Sequence, residues 1–97
     1  MLMIETTPQF DAWLARLDNA VSARIAARLL KLSMGLWGDH KALGGGLIEL
    51  REHFGPGIRL YLIRRGPQLI VVLAGGSKRR QQADIERARA LIAQLGE

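Results

Sequence analysis

Two hydrophobic periods divide the chain. Up to residue 35 apolar side chains recur every three or four positions, and from Leu47 they alternate singly. The first pattern belongs to amphipathic helices, the second to half-buried strands. A short apolar opening, Leu2 to Glu5, predicts an edge strand. Thr7-Pro8 then reads as an N-cap and first helical position, where the missing proline N–H costs little. Phe10, Trp13, Leu14 and Leu17 make one helical stripe, and Asp18-Asn19 recaps the chain for a second helix. There Val21, Ile25, Leu29 and Leu32 face inward, Arg24, Arg28 and Lys31 line another face, and Gly35 supplies the stop. With almost no connector, these two helices are expected to form a hairpin sharing one apolar seam.

Residues 35 to 46, with five glycines and Trp37, predict a loop. Beyond it Ile48, Leu50, Glu52 and Phe54 point one way, while Leu47, Glu49, Arg51 and His53 point the other. Gly55-Pro56-Gly57 is turn chemistry, after which Ile58, Leu60 and Leu62 alternate with Arg59, Tyr61 and Ile63. A second turn at Arg65-Gly66-Pro67 leads to Leu69–Ala74, apolar on both faces as in a central strand. Gly75-Gly76-Ser77 should then release the chain into a last helix, with Ile85, Ala88, Ile92 and Leu95 inward. The expected architecture is α+β, one domain over residues 1–97: an N-terminal helical hairpin on a small, mainly antiparallel sheet, with a C-terminal helix.

A three-residue Gly-Pro-Gly loop would place Phe54 opposite Ile58, His53 opposite Arg59 and Arg51 opposite Tyr61. Arg51, Arg59, Tyr61 and His53 would then converge on an open sheet face. Two cations on adjacent strands, with no obvious carboxylate beyond Glu49, repel unless an anion joins them, which suggests a site; a wet polar surface is the plainer alternative.

Composition narrows the classes. Ninety-seven residues, 48% hydrophobic and 24% charged, fit one small globular domain. The longest apolar run, Leu69 to Ala74, falls far short of the roughly 20 residues of a membrane span. With no secretory pattern at the start, the expectation is a cytoplasmic protein. Absence of cysteine excludes disulfides and thiolate metal sites. Net charge is +5, and it is lopsided. Residues 1–50 carry five basic and five acidic groups, whereas residues 51–97 carry nine and four. A basic C-terminal half suits a phosphate-bearing partner.

Gly75-Gly76-Ser77-Lys78-Arg79-Arg80-Gln81-Gln82 sets three cations at or before a helix start, where free N–H groups also favour phosphate. The spacing is not that of a P-loop. His40 and His53 lack metal-ligand spacing, and no Gly-x-Ser-x-Gly elbow occurs, so no cofactor or metal is expected. Metal-free phosphodiester cleavage needs a base for the ribose 2′-OH, an acid for the leaving oxygen, and cations for the phosphorane. Arg51, Arg59, Tyr61, His53 and Lys78 would supply those parts. Arg79, Arg80, Lys41, Arg24, Arg28 and Lys31 would hold the RNA backbone, and Trp37 could stack on a base or anchor its loop.

Several spaced motifs in one order complete the picture. These are Phe10-x-x-Trp13-Leu14-x-x-Leu17, Ala23-Arg24-Ile25, Arg28-Leu29, Gly38-Asp39-x-Lys41, Gly44-x-Gly46 and Glu49-Leu50-Arg51. Gly55-Pro56-Gly57-x-Arg59-x-Tyr61, Gly75-Gly76-x-Lys78-x-x-Gln81 and Asp84-Ile85 follow. Nearly end to end, the chain resembles the RelE/ParE superfamily of type II toxin–antitoxin toxins, in particular its HigB-like branch. The resemblance implies a RelE-like fold and metal-independent mRNA cleavage in the ribosomal A site. It further implies that Arg59 contacts the scissile phosphate, assisted by Arg51, Lys78 and Arg79. The implied partner is a small, usually DNA-binding antitoxin that covers the basic face or displaces the C-terminal helix. RelE-like enzymes often carry a helix tyrosine as base where this chain has Ile85, which leaves Tyr61 or His53 for that role. The branch commonly shows Gly-Asp-Lys-Ser-Thr-Gln where this chain has Gly76-Ser77-Lys78-Arg79-Arg80-Gln81. The alternative is a ParE-like protein that blocks DNA gyrase without catalysis, since fold does not fix function.

Overall fold

A computed structural model describes residues 1–95. The elements are β1 (Met3–Thr6), α1 (Pro8–Ala15), α2 (Asn19–Ser33), β2 (His40–Gly44), β3 (Leu47–Glu52), β4 (Ile58–Arg65), β5 (Leu69–Ser77) and α3 (Gln81–Gln94). A single 3₁₀ turn, Lys78–Arg80, joins β5 to α3. The five strands form one sheet in the order β1-β5-β4-β3-β2. Only β1 runs parallel to its neighbour, so the sheet is mixed. No helix among the described residues is long and apolar enough to cross a membrane.

The alternation from Leu47 onward builds two cores back to back. Leu50, Ile58, Leu60, Leu62, Ile70 and Val72 face α1 and α2, where Phe10, Ile25 and Leu32 meet them. Leu47, Tyr61, Ile63, Val71 and Leu73 face α3 and Ala88. The Thr7 hydroxyl accepts the Phe10 N–H (3.1 Å) and donates to the Leu73 carbonyl (2.6 Å), so one N-cap both starts α1 and ties it to β5.

Four expectations change. The helical hairpin is not the N-terminal element, because β1 precedes it and supplies the parallel edge. Nor do the helices pair chiefly with each other: α1 packs on β5, and both helices feed the same sheet-side core. Within the expected loop, residues 40–44 form β2, which turns back into β3 through Gly44, Gly45 and Gly46, all at positive φ. Three consecutive left-handed residues are open only to glycine, so those glycines mark a tight hairpin rather than slack chain.

Strand β5 also runs on through Gly75 and Gly76 instead of ending at Ala74. A Cβ on Gly75 would overlap the Trp13 ring, and one on Gly76 would overlap the Asp84 carboxylate. The glycine pair therefore lets α1 and α3 approach the two faces of the same strand. An irregularity opposite Tyr61/Leu62 gives β5 one extra residue there, which turns its last residues onto new faces.

Candidate functional site

The polar cluster sits on the α3 side of β3 and β4, near the start of α3. Arg51 stands directly across from Arg59, and Glu49 across from Tyr61. The expected register is thus displaced by two residues, because His53 and Phe54 leave the ladder and lengthen the connection. A shift of two preserves parity, so Glu49, Arg51, Arg59 and Tyr61 do share a face. That face is covered, not open: α3 lies on it, and Glu49, Arg59 and Tyr61 are buried.

Glu49 organises the cluster. Its two carboxylate oxygens accept from Arg51 Nε at 2.8 Å and from Gln81 Nε2 at 2.6 Å. The Glu49 hydrogen bond raises the Arg51 pKa further above its ordinary value. Arg59 receives no such partner among the described residues. Only 5% exposed, it donates from one terminal nitrogen to the Ile58 carbonyl (3.2 Å), and its Nε has no acceptor. Its guanidinium and the Lys78 side chain both lie against Gly57, whose carbonyl accepts the Lys78 N–H at 2.6 Å. Buried cations are ordinarily paired, so this unpaired one is the unusual feature of the cluster.

Tyr61 is removed from the list of bases. Its hydroxyl is buried beside Glu49 without a well-formed hydrogen bond. Burial, reinforced by the Glu49 charge, pushes the phenol pKa far above the ordinary 10.0. His53 also moves: instead of facing Arg59 it projects into solvent and bonds Asp39 through Nε2 at 2.6 Å. That hydrogen bond holds the Asp39 carboxyl below its usual value. The pair is tied to the cluster by backbone, since Arg51 N–H donates to the Asp39 carbonyl at 2.9 Å.

Arg28 is a correction of another kind. Expected on an RNA-facing stripe, it is buried and donates to the carbonyls of Arg51, Trp37 and Asp39 while pairing with Glu52. It holds the 37–39 loop against the end of β3; both terminal nitrogens are engaged, and the remaining donor, Nε, is buried away from any phosphate. Arg24 lies over the Phe54 ring at 3.8 Å, and exposed Lys31 shares a shallow hollow with it and Glu52, on the α2 side. Neither joins Arg51 and Arg59. Lys41 on β2 and Arg79 and Arg80 on the 3₁₀ turn are exposed. Trp37 rests partly buried against the α2-side core, tilted on His40. The structure therefore brings together Arg51, Arg59 and Lys78, with Tyr61 buried beneath and His53 held off by Asp39. No group of acidic and histidine side chains among the described residues is arranged to hold a metal.

Sequence reasoning put Glu49 on the Arg51 face as its one obvious carboxylate, and missed the roles of Gln81 and Asp39. Nothing local marks Asp39, whose partner lies fourteen residues away.

An uncharacterized protein of Haemophilus influenzae is 41% identical to this chain over 96 residues, covering 98% of this chain and 97% of its own. The chain belongs to that protein's family. The alignment spans 96 residues, so the fold described above, cluster included, lies almost wholly within it. No family model matches the chain. Among solved structures, the solution structure of the conserved hypothetical protein HP0894 from Helicobacter pylori is similar, with a TM-score of 0.52 and 21% identity. The match covers 81% of this chain and 97% of that one, and it speaks for the fold alone.

Proposed function

We propose that the protein is a RelE/ParE-superfamily toxin of the HigB-like type, a metal-independent endoribonuclease that cleaves mRNA on the ribosome. A small DNA-binding antitoxin would be its partner. The observation that carries this reading is Arg59: a buried guanidinium with no carboxylate, standing across from Arg51 and beside Lys78. Such a group is completed by an anion, and a scissile phosphate fits its planar donors.

In the proposed reaction the ribose 2′-oxygen attacks phosphorus, the bond to the 5′-oxygen breaks, and a 2′,3′-cyclic phosphate forms. Arg59, Arg51 and Lys78 stabilise the added phosphorane charge. With Tyr61 buried, His53 is the candidate base. Asp39 accepting from Nε2 leaves the Nδ1 lone pair free to take the 2′-OH proton. In this reading Lys78 protonates the departing 5′-oxygen, and exposed Arg79, Arg80 and Lys41 meet the RNA backbone.

The test is translation in vitro with purified protein, followed by primer extension along the mRNA. Discrete cuts appearing only with ribosomes are expected, and Arg59→Ala should reduce them by about a hundredfold or more while the fold persists. A folded Arg59→Ala protein that cuts normally would overturn the reading. A second reading, non-catalytic block of DNA gyrase, draws on the burial of Tyr61, which leaves the cluster itself without a free base. Intact mRNA together with lost gyrase supercoiling would favour it.

A further inference from the structure

The sheet has an unfinished edge in its interior. Strand β1 pairs with β5 only from Leu69 to Val72, and the chain then turns into α1. The Thr7 hydroxyl takes up the Leu73 carbonyl, and from Ala74 to Ser77 β5 has β4 on one side and no strand of the described residues on the other. Gly75 and Gly76 carry no side chain of their own, and Trp13 and Asp84 pack against their two faces. The edge forms the floor of a groove of about 560 Å³ whose walls are α1 and α3. Trp13 and Leu17 line one wall and Leu91 the other, while Pro56 and Ile58 close the end.

Unpaired strand edges recruit strands. Four further features say what kind of segment would fit. The walls are largely apolar, which suits side chains pointing alternately to α1 and α3. Exposed Arg16 and Arg80 stand at the rim. Arg87 is already engaged with Asp84 Oδ1. Asp84 is buried in the groove wall, with Oδ1 paired to Arg87 and Oδ2 packed against Gly76. An RNA backbone suits this less well, because a carboxylate lines the wall and the floor is peptide.

We infer that the groove between α1 and α3 binds an extended acidic and apolar segment of a partner protein, which adds as a strand to the 74–77 edge of β5. The inference is independent of the ribonuclease reading, because it requires no cleavage.

The probe is a displayed library of random octapeptides, selected against the full chain. The expected binders combine Asp or Glu with alternating apolar residues. Their affinity should fall about tenfold or more in Ala90→Trp, which fills the groove from an exposed helix position, and in Arg16→Glu. Methylating alternate backbone nitrogens of a selected peptide should abolish binding in one of the two registers, as strand pairing demands. Amide exchange at Gly75 should slow on binding. Circular dichroism and thermal melts establish that both variants fold. The proposal is overturned by binders indifferent to both substitutions and to methylation, by selected peptides without acidic residues, or by a failure to select any. It is equally overturned if a single-stranded RNA oligonucleotide, not a peptide, is what Ala90→Trp excludes.

Discussion

Tyr61 is the chain's only tyrosine, so its ionisation can be read directly. The ring is buried between β4 and α3, with Glu49 across from it on β3. Ionising it would place a second negative charge beside a buried carboxylate, and Arg59 offsets this only in part. In the unfolded chain the phenol titrates near 10.0. The folded phenol pKa is raised, so the native state holds the proton that the unfolded state releases. Stability is therefore full below about pH 9 and falls as pH rises through the unfolded value. At pH 11 the loss reaches RT ln(1 + 10), at most about 1.4 kcal/mol, if the folded phenol stays neutral.

Two measurements follow. Absorbance at 295 nm, titrated to pH 11, should show no phenolate step in native protein and a full step near pH 10 in urea. Urea unfolding of wild type and Tyr61→Phe at pH 7 and pH 11 should then differ in pH dependence by up to that amount, the variant losing less. At pH 7 the two should agree within about 1 kcal/mol, because the hydroxyl removed makes no good hydrogen bond. The same variant should keep mRNA cleavage, if cleavage is the activity. A native phenol titrating near 10, or a hundredfold loss of cleavage in folded Tyr61→Phe, would refute the reasoning and restore Tyr61 as a base.

Gly76→Ala should cost about 1–3 kcal/mol, measured by thermal unfolding, because the new methyl meets the buried Asp84 carboxylate; an unchanged melting temperature would contradict the packing described. Arg28→Ala should cost about 3 kcal/mol in urea and alter Trp37 fluorescence, since several backbone carbonyls and Glu52 lose one shared donor. Arg24→Ala, which removes only an exposed cation from the Phe54 ring, should cost under about 1 kcal/mol in the same assay. Carboxyl NMR should find Asp39 titrating below 3.8, and His53→Ala should return it towards that value; an unmoved midpoint would show that His53 does not set it.

Much of the fold was legible because side-chain period is local. The alternation from Leu47 to Ile63 sorts residues onto two faces whatever the register, so a ladder displaced by two residues still leaves Arg51, Arg59 and Tyr61 together. What alternation lacks is a statement of what lies on each face. Leu47, Ile63, Val71 and Leu73 share the Arg51 face, and four apolar side chains there already required a cover. Reading only the polar end of that face made it appear open. Strand β2 escaped for a different reason: five residues between glycines are too few for a period, and pairing with β3, not composition, makes them a strand.

The site itself depends on how charges are distributed under that cover. Two arginines face each other across β3 and β4, and among the described residues Glu49 is the carboxylate that hydrogen-bonds one of them. Because Glu49 lies two residues from Arg51 on the same strand, it pairs there, and its remaining oxygen is taken by Gln81 from α3. Arg59 is left buried with no carboxylate among the described residues hydrogen-bonded to it. Leaving a cation in that state costs stability that a second carboxylate would recover. The position of Glu49 thus decides which arginine is structural and which is held ready for an anion. Exchanging the two roles would take only a carboxylate moved from the Arg51 strand to the Arg59 strand, and the resulting protein should be more stable and bind phosphate less well.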